Sequence, residues 1–218
     1  MSTLVIKQGA LGDVIIATAL LDAILKARPA GSVTLLTTPP FAGLFAEWSQ
    51  LRVVAWPRRG WRAVAATLGF MRRQGFDEVF DLQGNDRTRL LCALSGIPRR
   101  IGSHVHVPYN VHPPSPWDER CHVFDRLNAV LAAAGVAPAA ARPVLPCADA
   151  ARAAVDAFVA GAGLAPGGFV VMHAGASAAR QDKCWPGFGE LADALAAAGL
   201  PTLWHCLLYT SDAADEGL

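Results

Sequence analysis

Short β-rich apolar runs alternate with helical stretches through the first hundred residues of the chain, and that rhythm constrains the fold more than any other feature. The runs are Leu4 to Lys7, Ser32 to Thr37, Leu51 to Trp56, Glu78 to Leu82 and, more briefly, Arg99 to Gly102. Between them lie helical patterns from Val14 to Arg28, around Phe41 to Trp48, from Trp61 to Gln74 with Val64, Leu68 and Met71 on one face, and from Arg87 to Leu94. Parallel neighbouring strands need a long return connection, so the alternation predicts β-α-β crossovers and a doubly wound open sheet of Rossmann-like character. Continuously apolar strands such as LVIK and TLLT agree, because helices cover both faces of such a sheet.

From Val105 to Trp117 the chain is rich in histidine and proline and shows no period, which predicts a long irregular loop of the kind that often carries function. His122 to Ala134 then reads as an amphipathic helix with Phe124, Leu127, Val130 and Leu131 turned inward. Pro138 to Pro146 is a Pro- and Ala-rich connector and the expected domain boundary. After it the rhythm restarts: helix Asp149 to Gly163, strand Phe169 to Met172, loop His173 to Lys183, helix Pro186 to Ala198 and strand Pro201 to Trp204. The expected organisation is therefore one complete domain over residues 1–146, the start of a second over 147–204, and a tail over 205–218. That tail, HCLLYTSDAADEGL after Trp204, has neither a helical stripe nor a useful strand and resembles translated adapter sequence, so it is expected to be non-native or disordered.

Composition excludes several classes. A 218-residue chain with 53% hydrophobic residues can bury a large core, which excludes disorder. The formal net charge of +1 carries no clustered basic excess, so no nucleic-acid partner is expected. Five scattered cysteines without C-x-x-C or a metal-spaced histidine fit a reduced, cytoplasmic compartment. No secretory pattern opens the sequence and no apolar run reaches the ~18 residues of a membrane span, so any membrane contact is expected to be peripheral.

Two loops could carry chemistry. Gln8-Gly9-Ala10-Leu11-Gly12-Asp13 joins the first strand to the first helix. Gly9 and Gly12 let the backbone turn tightly and leave room for a ligand, and the positive end of the helix dipole favours a carboxylate at Asp13. Ligands of open parallel sheets bind at the carboxyl ends of the strands, where Asp13 could act as a base. An aspartate near a helix start is more often a cap, and spacing leaves both readings open. The loop lacks the full G-x-G-x-x-G pattern and no acidic residue ends the second strand, which argues against a dinucleotide and hence against a nicotinamide-dependent oxidoreductase. Absence of a G-x-S-x-G elbow argues against an α/β hydrolase.

The second loop runs from His173-Ala174-Gly175-Ala176-Ser177 to Lys183-Cys184-Trp185-Pro186. Free backbone amides, the Ser177 hydroxyl and the compact charge of Lys183 suit a diphosphate leaving group. Pro186 is placed to open the next helix. A solvated Lys183 and a merely satisfied strand-end His173 are the plainer alternatives. Arginines at 58, 59, 62, 72, 73, 87, 89, 99 and 100 could bind an anionic acceptor, although most should simply be solvated.

The segments LVIKQGALGDVIIATALLDAILKARP, FDEVFDLQGNDRTRLL, RRIG, HVFDRLNAVLAAAG and FVVMHAGASAARQDKCWPGFGELADALAAAGLP resemble, in order across residues 3 to 203, the ADP-heptose:lipopolysaccharide heptosyltransferase family. The resemblance implies a GT-B architecture, two Rossmann-like domains facing across a cleft, in a C-terminally truncated member. It implies an acceptor-binding N-terminal domain, a C-terminal domain for the ADP-heptose donor, and transfer of heptose with inversion to the lipopolysaccharide inner core. Asp13 matches the family's proposed general base, while Ser177 and Lys183 match the donor-diphosphate contacts. No D-x-D motif occurs, so neither an obligatory metal nor another cofactor is implied. Such a protein would work in the cytoplasm or peripherally at the inner face of the inner membrane. Departures from the pattern are Cys184, where K-R-W-P is usual, and the absence of a glycine-rich turn after Leu203 and of the later nucleotide-binding segments. A chain without these would be an inactive fragment or an acceptor-binding module.

Overall fold

The computed structural model of the chain describes residues 1–57, 60–115, 120–175 and 184–205. Two compact units divide the chain, Met1–Cys147 and Ala148–Leu218. The Arg58 and Arg59 candidates, Ser177, Lys183 and the tail from residue 206 onward lie outside the described residues.

The first unit is built on strands β1 (Thr3–Ile6), β2 (Val33–Thr37), β3 (Leu51–Ala55), β4 (Glu78–Asp81) and β5 (Arg99–Ile101). All pair in parallel in the order β3-β2-β1-β4-β5. Its helices are α1 (Leu11–Lys26), α2 (Pro39–Ala42), α3 (Trp61–Gln74), α4 (Asp86–Leu94) and α5 (Val123–Ala133). Because side chains alternate along a strand, β1 sends Val5 to one face and Leu4 and Ile6 to the other. Val5, Leu35 and Phe80 pack with Leu20, Leu21 and Ile24 of α1 and with Leu127, Val130 and Leu131 of α5. Leu4, Ile6, Leu36 and Val79 pack with Phe70 and Met71 of α3 and with Leu91 and Cys92 of α4. Helices thus cover both faces, as the unbroken apolar strands require.

At the amino edge of this sheet Glu78 is fully buried. It accepts hydrogen bonds from Thr3 Oγ1 at 2.8 Å, from Arg99 Nη1 at 2.8 Å, and from Nε and Nη2 of Arg28. Arg99 also donates to the Ala134 carbonyl at 2.8 Å, which ties the end of α5 to the sheet. Arg99, a candidate acceptor ligand by sequence, is therefore a structural ion at the edge opposite the strands' carboxyl ends.

Several boundaries depart from the sequence pattern. Helix α1 begins at Leu11, one turn before Val14, because Gly12 and Asp13 join it. The stretch from Phe41 to Trp48 is not one helix: α2 starts at Pro39 and passes into a 3-10 turn, Gly43–Phe45. Two prolines in succession fix a helical start but give little that can propagate. Asn85 caps α4 by accepting from Thr88 N at 2.9 Å, so that helix starts at Asp86.

In the second unit, helix α6 (Asp149–Gly161) precedes strand β6 (Val170–Met172), helix α7 (Phe188–Ala197) and strand β7 (Thr202–Trp204), with β6 and β7 parallel. Pro186 does not open α7; it stands in a turn two residues earlier. The ring of Trp185 lies over Gly187, the N-cap of α7, where an added Cβ would come within 2.3 Å of it. Among the described residues no helix is long and apolar enough to cross a membrane.

Candidate functional site

Strand order places a topological switch between β1 and β4, since the chain winds outward from β1 through β2 to β3 and then returns to β1's other side. Ligands of such sheets bind in the crevice outside the carboxyl ends of the strands at that point. Register pairs Ile6 with Asp81, so Lys7 and Gln8 leave the sheet beside Asp81, Leu82 and Gln83. Gln8 N donates to Gln83 Oε1 at 2.9 Å and Thr38 Oγ1 to the Gln8 carbonyl at 3.3 Å, which joins the three strand ends into one floor. The side-chain oxygen of Gln8 is buried with no hydrogen-bond partner among the described residues.

Lys7 is 4% exposed, and its Nζ donates to the Leu82 carbonyl at 3.3 Å. Burial pushes the ammonium below the ordinary lysine range, and the charges of Asp13 and Asp81 pull it part of the way back. Asp81 is fully buried and ends β4. Its Oδ1 accepts from the amides of Gln83 at 3.0 Å and Gly84 at 2.9 Å, in a turn that Gly84 closes with φ +67°. Its Oδ2 accepts from the Tyr109 hydroxyl at 2.6 Å. Burial pushes Asp81 above the usual carboxylate range, opposed by the bonds from Tyr109, Gly84 and Gln83. Burial, and then the neighbouring Asp81 charge, push Tyr109 upward, so it keeps its proton and donates.

Tyr109 anchors the irregular loop to the site. Its ring lies so close to Gly102 that an added Cβ would stand 2.5 Å from it, and His104 meets the ring edge-on. The loop turns back onto β5 through Gly102 N to the Val111 carbonyl and Asn110 N to the Arg100 carbonyl, at 3.1 and 3.0 Å. Burial and the charge of Arg89 hold His104 below the usual histidine range.

Asp13 sits in the first turn of α1, half-buried, close enough to Lys7 for their charges to interact. The cap position belongs to Ala10, which makes no side-chain cap bond, so Asp13 is not the N-cap. Gly9 is buried and Gly12 exposed, and a Cβ at Gly12 would meet nothing within 4 Å, so there is open space beside that turn. Among the other arginines, Arg72 donates to the Leu94 carbonyl, Arg100 to the carbonyls of Pro108 and Ile97, and Arg89 pairs with Asp86. Arg62 lies over the Trp61 ring, and the Arg73 guanidinium lies against Gly69. His173 Nδ1 donates to the His205 carbonyl at 2.7 Å, the satisfied strand-end histidine.

The sequence pattern had passed over Lys7, Asp81 and Tyr109. Charged residues closing the runs LVIK and VFD, each otherwise apolar, are a signal that could have found the first two. Nothing local marks Tyr109, which reaches Asp81 across 28 residues.

A doubly wound α/β protein with a charged, largely buried polar site at its switch point is the class these features define. No protein-family model and no curated protein matches the chain. Among solved structures it is similar to a glycosyl transferase family 9 protein of Veillonella parvula DSM 2008, at 20% identity and a TM-score of 0.72 over 93% of this chain. It is also similar to E. coli heptosyltransferase WaaC solved with ADP-2-deoxy-2-fluoro heptose, at 20% identity, TM-score 0.60, with 94% of this chain and 68% of that one covered. E. coli ADP-heptose lps heptosyltransferase II matches at 15% identity, TM-score 0.66, with 94% of this chain and 64% of that one covered. These likenesses are of fold, the GT-B glycosyltransferase type. The chain spans 61% of the length of the Veillonella protein.

Proposed function

We propose that the chain belongs to an inverting glycosyltransferase that moves a heptose from ADP-heptose to a sugar of the lipopolysaccharide inner core, with residues 1–146 binding the acceptor and residues 147–204 the donor. One observation carries the reading: a half-buried carboxylate, Asp13, in the first turn of the helix that opens at the switch point, beside an open glycine turn. A base there takes the proton of the acceptor hydroxyl as its oxygen attacks the anomeric carbon. One C–O bond forms, the bond from the anomeric carbon to the diphosphate oxygen breaks, the electron pair leaves with ADP, and the proton rests on Asp13. Single displacement inverts the anomeric configuration. Ser177 and Lys183 would bind the departing diphosphate, and Gly9 and Gly12 would admit the acceptor.

Two of the similar structures carry ADP or ADP-2-deoxy-2-fluoro heptose, which supports a nucleotide-sugar donor. The test is incubation with ADP-heptose and a panel of core acceptors, with the product's anomeric configuration read by NMR. Transfer with inversion is the expected result. A retained configuration overturns the single displacement, and failure with every acceptor while ADP-heptose binds overturns the substrate assignment.

A further inference from the structure

We propose that Gln83 is a positioning residue for Asp13: its side-chain carbonyl clamps the backbone of the glycine turn that carries the carboxylate. This rests on the reading of Asp13 as the base. The clamp follows from how β4 ends. Up to Lys7 the ladder is regular, with Lys7 N donating to the Leu36 carbonyl of β2 at 3.0 Å and Leu82 N to the Ile6 carbonyl of β1 at 3.1 Å. Beyond these bonds the strands no longer pair. Asp81 draws the amides of Gln83 and Gly84 onto its Oδ1, at 3.0 and 2.9 Å, and Gly84 turns the chain away with φ +67°. That turn fixes the backbone of Gln83, and its side chain supplies the missing ladder partner, Gln83 Oε1 accepting from Gln8 N at 2.9 Å. On the other side Thr38 Oγ1 donates to the Gln8 carbonyl at 3.3 Å. Both backbone groups of Gln8 are thus held by side chains and not by strands.

Between this clamp and Asp13 little else fixes the chain. Gly9 has no side chain, and Ala10, the N-cap of α1, makes no side-chain cap bond. The first helical bond runs from Val14 N to the Ala10 carbonyl at 2.9 Å. Gln8 does not anchor itself, since its side-chain oxygen is buried with no hydrogen-bond partner among the described residues. Core packing of Val14 and Ala17 sets the depth of α1 on the sheet. The lie of its first turn, and with it the direction of the Asp13 carboxylate, is set through Gln8. Without Gln83 Oε1 the amide of Gln8, a residue only 1% exposed, is left unpaired and must shift to find a partner. A misplacement of about 1 Å at a reacting group costs up to about 10²-fold in rate.

Gln83→Met removes the accepting oxygen at similar length; Gln83→Glu keeps one. Both are compared with wild type and with Asp13→Ala for Tm, amide hydrogen exchange, ADP-heptose binding, kcat and acceptor KM. For Gln83→Met a Tm within about 4 °C of wild type is expected, as befits one lost hydrogen bond. Exchange at Gln8 and Val14 should be about tenfold faster or more, with Val5 and Phe80 unchanged. The fall in kcat should be about tenfold or more, with donor affinity and acceptor KM within about twofold. Gln83→Glu restores both exchange and kcat. Unchanged exchange at Gln8 would mean that the bond does not hold the turn, and faster exchange with wild-type kcat that the turn does not aim the carboxylate. Either result overturns the positioning role, while an inactive Asp13→Ala keeps the base. Equal losses in the two Gln83 variants overturn it as well, as does a failure of both to fold. Wild-type turnover by Asp13→Ala removes the base reading, and the positioning role with it.

Discussion

Replacing Glu78 by glutamine separates the arginines that hold the fold from any that hold substrate. In the native unit this carboxylate is fully buried and takes Arg28, whose side chain is 8% exposed, and Arg99, whose side chain is 37% exposed. Glutamine keeps the volume and one carbonyl oxygen, so Thr3 can retain its bond, but Arg28 becomes a buried cation without a counter-charge. Breaking a buried pair from one side destabilises by about 3–5 kcal/mol, and the partly exposed Arg99 adds no more than about 1 kcal/mol. Because the glutamine oxygen still accepts one bond, the lower figure applies, about 3 kcal/mol. For a unit of the size of Met1–Cys147, each kcal/mol moves Tm by about 2–4 °C, so a fall of about 6–12 °C is expected. Urea denaturation followed by circular dichroism should show the midpoint falling by about 1–3 M with the slope unchanged. Under conditions where the variant is folded, transfer kinetics should match wild type, since Glu78 lies at the edge away from Lys7 and Asp13. A Tm loss below about 2 °C would refute the claim that this triad pins the sheet, and a raised acceptor KM would return Arg99 to the substrate.

Other outcomes follow from the switch-point site. Gly102→Ala forces the Tyr109 ring aside and should destabilise by more than Tyr109→Phe, which loses only the bond to Asp81, about 1–3 kcal/mol; equal losses in paired denaturation curves would mean the ring moves freely. Asp81, raised by burial, contributes stability that is fully present below its unfolded value of about 3.9 and is lost as pH rises through its folded value. Asp81→Asn cannot ionise, and the Tyr109 hydroxyl can rotate to accept from the new amide. Its urea midpoint should therefore vary less between pH 4 and 7 than that of wild type, and an equal variation would assign the pH dependence to other groups.

Much of the fold was legible in the sequence because its causes are local. In the first unit the five strands read from the sequence are the five that pair, and α1, α3, α4 and α5 appear where the periodic stretches lie. Errors fell at element starts: the helix expected over Phe41 to Trp48 begins instead at Pro39 and ends in a 3-10 turn, and α7 begins after Gly187 and not at Pro186. The turn that carries Gly9, Gly12 and Asp13 could be placed between the first strand and the first helix because it is one short loop. Lys7 and Asp81 were not singled out, since their meaning comes from a register that pairs residues 75 positions apart. Tyr109 could not be found at all without the return of its loop. The same limit applies to Arg99, which looks like a surface cation until the strand pairing sets it beside Glu78.

Transfer rate in Asp13→Ala, compared with wild type at equal ADP-heptose occupancy and saturating acceptor, bears on the base most directly. The carboxylate at the first turn of α1 predicts a fall of about 10²–10⁴-fold with donor affinity within a factor of two. A rate within threefold of wild type would contradict the account and leave the switch-point cluster as a binding site without a base.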